Sequence, residues 1–320
     1  SPAYLMGRFS GSELPLDGNI GVRFVQTKED LSGYQTVPAT GTTPQTTAPI
    51  EVDSKYNNVV PSLNARYRLG EGLYARFAAS KSLTRPNFNQ LSPSLTLVPN
   101  PIDPSLNQGA AGNPDLKPFK SDNLDLAVEK YFNETTSLYG TVFYKKVDGF
   151  IVSSRETEIY DGQPYLISRP RNAEEESIKG VEVGYTQFFD FLPDPWKGFG
   201  VQANYTYLDT DLQGMSKHSY NLIGMYETRS VSVRLAYNWR DTFRSGQQSI
   251  VNIGAVDIFT EDYGWLDASV NYRVNENISV GLEGSNLLKT RRTSYFGVPN
   301  RPQNIYTNDL QIGLVLTYRM

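Results

Sequence analysis

The single histidine, His218, and the three glutamates of "NAEEES" (172–177) are the side chains whose type and spacing most directly suggest chemistry in this chain. A Ser-His-carboxylate hydrolase would need His218 beside an activated serine, and it sits in "SKHSY", at the start of a predicted strand. Glu174, Glu175 and Glu176 offer carboxylates for a hard cation such as calcium. The plainer reading, a solvated acidic rim, is adopted here, and no metal site or cofactor is assigned. Because cysteine is absent, there is no disulfide framework, thiolate metal site or thiol nucleophile. A formal net charge of -4 gives no basic surface to follow a phosphate backbone, so nucleic acid is not an expected partner.

Those residues must be positioned by strands. In "SVSVRLAYNWRD" (230–241), Val231, Val233, Leu235, Tyr237 and Trp239 form an apolar row, interleaved with Ser232, Arg234, Ala236, Asn238 and Arg240. Successive strand residues point to opposite faces, so this reads as a strand with one greasy and one polar side. The same alternation recurs at Ile20–Phe24, Leu63–Leu69, Leu73–Phe77, Leu124–Val128, Val181–Tyr185, Val201–Tyr207, Leu266–Tyr272, Ile278–Leu282 and Leu310–Tyr318. About twelve full strands and a partial one at Tyr4 to Phe9 are expected, many near the roughly 9 to 11 residues that cross a bilayer when tilted. No apolar run approaches the roughly 18 residues of a helical span. The start, "SPAYLMGRFS", is not a signal peptide, so either a leader was removed or the chain begins inside a longer protein.

Connections sharpen the reading. Short turns at 69–73, 131–137, 227–230 and 274–278 alternate with long polar segments at about 27–54, 84–117, 148–172, 241–262 and 289–304. Short turns on one side and long loops on the other are the habit of outer-membrane barrels. Two stretches break the rhythm: "FDFLPDPWKGFG" (189–200) is long for a turn and "TDLQGMSKHS" (210–219) is brief for a loop. The Thr and Pro run "TTPQTTAP" (42–49) reads as a mobile loop. Aromatic pairs at strand ends (Tyr131 and Phe132, Phe188 and Phe189, Tyr237 and Trp239, Tyr263 and Trp265) suit interfacial girdles. The row from Val231 to Trp239 is expected to face lipid, with Arg234 turned to a wet lumen, because Arg on the lipid face at the midplane costs roughly 2 to 4 kcal/mol.

Six segments, in order, resemble the TonB-dependent outer-membrane receptors, in the proteobacterial branch that includes many carbohydrate receptors. They are "ARFAASKSLTRPNFNQLSPS" (75–94), "GNPDLKPFKSDNLDLAVEKYF" (112–132), "SIKGVEVGYTQFFDFLP" (177–193), "GVQANYTYLDT" (200–210), "SKHSYNLIGMYE" (216–227) and "LEGSNLLKTRRTSYFG" (282–297). The resemblance implies an all-β, antiparallel transmembrane β-barrel, with residues 1–320 supplying about 12–13 strands of a 22-stranded whole. The plug domain and the N-terminal strands are absent from this sequence. It implies an active-transport receptor of the Gram-negative outer membrane, not an enzyme, since "SKHSY" occurs in the family without catalysis. The receptor would bind an oligosaccharide or a ferric siderophore at its outer loops. Expected partners are the TonB-ExbB-ExbD complex, contacted through the missing plug region, and outer-membrane lipid and lipopolysaccharide. A passive channel or adhesin on the same barrel is the alternative. Met320 stands where such barrels usually end in an aromatic, and it keeps the alternation of Leu316 and Tyr318.

Turn chemistry explains much of "GNPDLKP": Asn113 before Pro114 disfavours helix, and Pro118 starts a strand where a missing N–H is tolerated. The motif is expected to be a stiff re-entry into the wall. In "IKGVEVGY", Gly180 and Gly184 share a face with Glu182 and leave room for bulky neighbours or a plug. A sugar would stack its C–H faces on rings and hydrogen-bond to planar polar groups, and a ferric chelate would use the same side chains. The expected ligand-binding residues are therefore the loop groups Phe88, Asn89, Tyr160, Tyr165, Arg169, Phe243, Arg244 and Tyr295.

Overall fold

The computed structural model describes residues 2–11, 14–37, 39, 45–250 and 253–319. Met320, and residues 42–44 of the Thr and Pro run, lie outside the described residues. The wall consists of thirteen strands: β1 (Pro2–Ser10), β2 (Leu16–Val37), β3 (Thr46–Gly70), β4 (Leu73–Thr84), β7 (Phe119–Tyr131), β8 (Thr136–Asp148), β11 (Glu176–Phe188), β12 (Phe199–Asp209), β13 (His218–Glu227), β14 (Val231–Arg240), β17 (Tyr263–Arg273), β18 (Ile278–Ser285) and β21 (Gln311–Tyr318). Each pairs antiparallel with the next. β1 and β21 each have a single neighbour, so the wall does not close within this chain. Free edges of this kind are not tolerated in hydrocarbon.

Register carries the alternation across the wall. Phe77 lies opposite Leu126, Leu126 opposite Val142, and Val142 opposite Val181. Farther along, Val233 meets Val270, Val270 meets Leu282, and Leu282 meets Leu314. Leu126 and Leu235 remain 50% and 48% exposed. A continuous sheet face of such side chains demands lipid rather than water. The other face is polar: Asn204, Asn221 and Asn238 line up across three strands, and ion pairs join Arg76 to Glu129 at 2.7 Å and Arg66 to Asp17 at 2.9 Å. Arg234 lies on this face and bonds Glu227 at 3.0 Å. The glycines of "IKGVEVGY" serve it too, since a Cβ on Gly180 would strike Phe143 and one on Gly184 would strike Tyr139.

The five long connections leave one end of the wall and the short turns the other, with the two expected exceptions: the turn at 189–198 is longer than the loop at 210–217 at the opposite end. The structure differs in what the long segments do. Residues 27–54 are largely not a loop: β2 and β3 stay paired from Leu16 opposite Tyr67 out to Val37 opposite Thr46, which places residues 46–49 in a strand. Peptide groups beyond the membrane still need partners, and side-chain links such as the Tyr56 hydroxyl donating to Glu29 at 2.9 Å fasten the ribbon.

Two further sheets form from the other long segments. In the first, β5 (Leu95–Val98), β6 (Gln108–Ala111), β9 (Ile151–Tyr160) and β10 (Gln163–Asn172) pair in the order β5-β6-β10-β9. β5 also runs parallel to the tip of β2. "GNPDLKP" is clamped to this sheet, with the Asn113 amide donating to the Pro170 carbonyl at 3.0 Å and Asn172 accepting from the Lys117 N–H at 2.9 Å. In the second, β15 (Phe243–Ile250), β16 (Gly254–Thr260), β19 (Arg291–Phe296) and β20 (Pro302–Thr307) pair antiparallel in chain order.

Aromatic side chains divide between the faces. Tyr220 stacks on Trp239 at 5.2 Å on the apolar face, and at the opposite end of the wall Trp196 stacks on Phe199, whose ring meets a tilted Tyr226 at 4.7 Å. That cluster accounts for the length of the turn at 189–200. Trp265, expected in a girdle, instead lies on the polar face and donates to Asp267 at 3.0 Å; alternation turns it inward.

Candidate functional site

The second sheet stands on a polar knot. The Asp267 carboxylate accepts from the Asn286 N–H at 2.9 Å, from the Ser285 hydroxyl at 3.0 Å and from Trp265. Asn286, 1% exposed, donates in turn to the Asn308 carbonyl at 2.7 Å and accepts from the Thr290 N–H at 2.8 Å. Its φ of 54° is a left-handed conformation that asparagine tolerates. This knot fixes where the chain leaves β18, and thereby where β19 begins.

Between that sheet and the brief connection after β12 lies a cavity of about 640 Å3, lined among others by Asp211, Lys217, Phe243, Arg244, Asp257, Phe259 and Tyr295. Three of the expected residues, Phe243, Arg244 and Tyr295, thus converge. Tyr295 and Phe259 stack at 5.7 Å with planes 20° apart. Burial, and then the nearby Glu261 carboxylate, push the Tyr295 phenol above its usual value. The Phe243 ring is covered on one side by the Arg240 guanidinium at 3.9 Å. Arg244 donates to the Asp211 carbonyl at 2.8 Å and faces the Asp257 carboxylate at 3.5 Å. The connection at 210–219 is brief because it is drawn under the sheet: the Gly214 N–H donates to the Arg244 carbonyl at 2.8 Å, and Arg240 donates to the Gly214 carbonyl at 2.7 Å and to the Ser216 hydroxyl at 2.8 Å.

Tyr160, Tyr165 and Arg169 come together in the first sheet instead. Tyr165 is 6% exposed and packs with Leu95, Leu97 and Ile167, so its ring offers little surface. Tyr160 meets it edge-on at 6.2 Å and donates to Glu158 at 2.7 Å. Glu158 also binds Arg169 at 2.7 Å and Arg171 at 2.6 Å. Burial, then Glu158, raise the Tyr160 phenol. Phe88 and Asn89 line neither sheet's interior. They cap a turn in which Gln90 and Leu91 both donate to the Asn87 carbonyl, leaving Phe88 87% exposed above the buried Leu91.

Sequence reading missed Phe259, Asp211, Asp257, Glu158 and Arg171. Alternation was the available signal for Arg171, which shares a face with Arg169; nothing local marked Asp211. Among the described residues no group of three or more histidine or acidic side chains is placed to hold a metal ion. His218 lies on the apolar face, its Nδ1 2.7 Å from the Tyr205 hydroxyl and its ring against Tyr207.

A protein-family model described as "TonB dependent receptor-like, beta-barrel" matches residues 1–287. Solved structures share the fold. A ferric enterobactin receptor mutant from Pseudomonas aeruginosa is 17% identical, with 99% of this chain and 53% of that one covered and a TM-score of 0.62. The ferric-catecholate import receptor of K12 E. coli is 18% identical, with 99% and 44% covered and a TM-score of 0.63. A siderophore receptor from Acinetobacter baumannii is 18% identical, with 90% and 41% covered and a TM-score of 0.59. The chain spans about half the length of the receptors it matches.

Proposed function

We propose, because this chain belongs to the TonB-dependent receptor β-barrel family, that it forms part of the wall of an outer-membrane importer that binds a scarce ligand at its outer mouth and is driven by TonB. The observation that carries this is the pairing of a lipid-facing wall with a built cavity at the end from which the five long connections leave. The ligand is an oligosaccharide or a ferric chelate. A concavity of about 680 Å3 on the inner wall, with mixed polar and apolar lining that includes Met225, Arg234, Asp267 and Glu283, supports a separate domain seated in the lumen. Contact with the TonB-ExbB-ExbD complex would pass through that domain. The apolar face is proposed to meet outer-membrane lipid and lipopolysaccharide, and residues 1–320 are proposed to be the C-terminal portion of one barrel domain.

The reading predicts that cells carrying the full receptor accumulate ligand only while TonB and the proton motive force are intact. Accumulation indifferent to both would point to a passive channel. The proposed protein carries out no covalent step, and substitution of His218 is expected to leave uptake unchanged.

A further inference from the structure

We infer that the outer-mouth site takes an uncharged, hydroxyl-rich ligand of the oligosaccharide class and not an anionic ferric chelate. This rests on the importer reading and narrows it. The sequence left both ligands open because Arg169 and Arg244 suit either; the structure shows what those cations are already doing.

Arg169 shares the Glu158 carboxylate with Arg171, and Arg171 also bonds Glu156 at 3.3 Å. Arg244 faces Asp257 and the Asp211 carbonyl. Lys217, which also lines the cavity, lies over the Tyr207 ring at 5.7 Å. Arg240 sits behind Phe243 with its donors on Gly214 and Ser216. Beside these cations, of which Lys217 has only the Tyr207 ring as a side-chain partner among the described residues, the cavity presents Asp209 and Asp211, which make no ion pair among the described residues, and the engaged Asp257. Three carboxylates against Lys217 and Arg244 leave the lining one negative charge in excess.

A tris-catecholate complex of ferric iron carries three negative charges. It would meet the like charge of Asp209, Asp211 and Asp257 at separations shorter than a Debye length, where Coulomb repulsion persists. An uncharged sugar meets what it needs: carboxylates that accept from hydroxyls, the Arg244 fork that donates to ring and linkage oxygens, and the partly exposed Phe243 and Phe259 rings for C–H faces. The cavity volume of about 640 Å3 falls within the roughly 300–1,000 Å3 typical of sites that bury a small ligand.

The test titrates the detergent-solubilised full receptor by calorimetry with maltohexaose, cellohexaose, xylohexaose and mannohexaose and, separately, with the ferric tris-catecholate of enterobactin. Expected is binding of at least one uncharged hexasaccharide, with affinity unchanged by added salt and weakened about tenfold by Phe243→Ala, and no detectable chelate binding. The double variant Asp211→Asn/Asp257→Asn removes two of the three lining carboxylates and releases Arg244 from Asp257, and should admit the chelate. Salt-sensitive chelate binding to the unmodified receptor, or failure of all four sugars, overturns the inference. Uptake in receptor-null cells separates the two levels. Receptor-dependent, energy-dependent import of the chelate leaves the importer standing and the ligand assignment fallen. Import of neither class, or import without energy, removes the importer.

Discussion

The two sheets above the wall are built from similar material and end up differently. The first fills its interior: Leu95, Leu97, Tyr165 and Ile167 form a cluster in which Ile167 is fully buried, and β5 runs on from the wall through the tip of β2. The second is a sheet separate from the wall, and beneath it lies the cavity lined by Phe243, Arg244 and Tyr295. Ion pairs follow the same division. Glu158 and Arg169 are only 25% and 20% exposed, whereas Arg244 and Asp257 are 36% and 38% exposed at a longer separation. One region has spent its side chains on its own stability; the other buries Tyr295 but keeps Phe243, Phe259, Arg244 and Asp257 partly exposed. That difference indicates where a ligand can be met without dismantling a core.

Ile167→Ala should break the comparison most. Deleting a fully buried branched side chain costs about 2–5 kcal/mol, and here the loss falls on a small sheet with little other core. Hydrogen exchange should rise sharply across β9 and β10 while amides of β15 and β16 stay protected. Equal loosening of both sheets would show that they form one cooperative unit.

Glu158→Gln comes next. It leaves Arg169 and Arg171 without their shared acceptor in a setting mostly out of water, and the expected cost is about 1–3 kcal/mol. Asp257→Asn, the matching change in the second sheet, should cost no more than about 0.5 kcal/mol, since solvent screens a pair that exposed. Denaturant unfolding of the two variants side by side measures the contrast. A larger loss from Asp257→Asn would reverse the assignment of structural and open regions.

Much of the wall was legible because alternation is a physical necessity there. A strand with lipid on one side and water on the other must repeat every two residues, and the register confirms that repeat from Ile20 to Leu316. The sheets above it were legible only as long connections. Once outside the membrane, their strands need no lipid face, and their pairing depends on partners far away in sequence, such as β6 with β10. Trp265 shows the same limit within the wall: its aromatic type suggested a girdle, while its position in the alternation sent it to Asp267. For the site, chemistry and loop position found Phe243, Arg244 and Tyr295, which converge. The same criteria could not see that Tyr165 would be buried or that Asp211 would be drawn beneath β15.

Tyrosine titration gives the smallest effect and the finest discrimination between the sheets. Tyr160 and Tyr295 both resist ionisation chiefly through burial, with Glu158 adding to it in one case and Glu261 in the other. A phenol whose proton is held by the fold stabilises that fold at every pH below the ordinary tyrosine value near ~10, and the contribution fades as pH rises through the raised value. Neither sheet should therefore respond to pH through these groups across the neutral range. Above it, the tyrosinate absorbance missing from Tyr160→Phe and from Tyr295→Phe locates each phenol. In the Glu158→Gln background the Tyr160 signal should move down while that of Tyr295 stays in place, because only the first phenol donates to Glu158. A Tyr160 signal indifferent to Glu158→Gln would mean that burial alone holds its proton, and that the carboxylate serves only the two arginines.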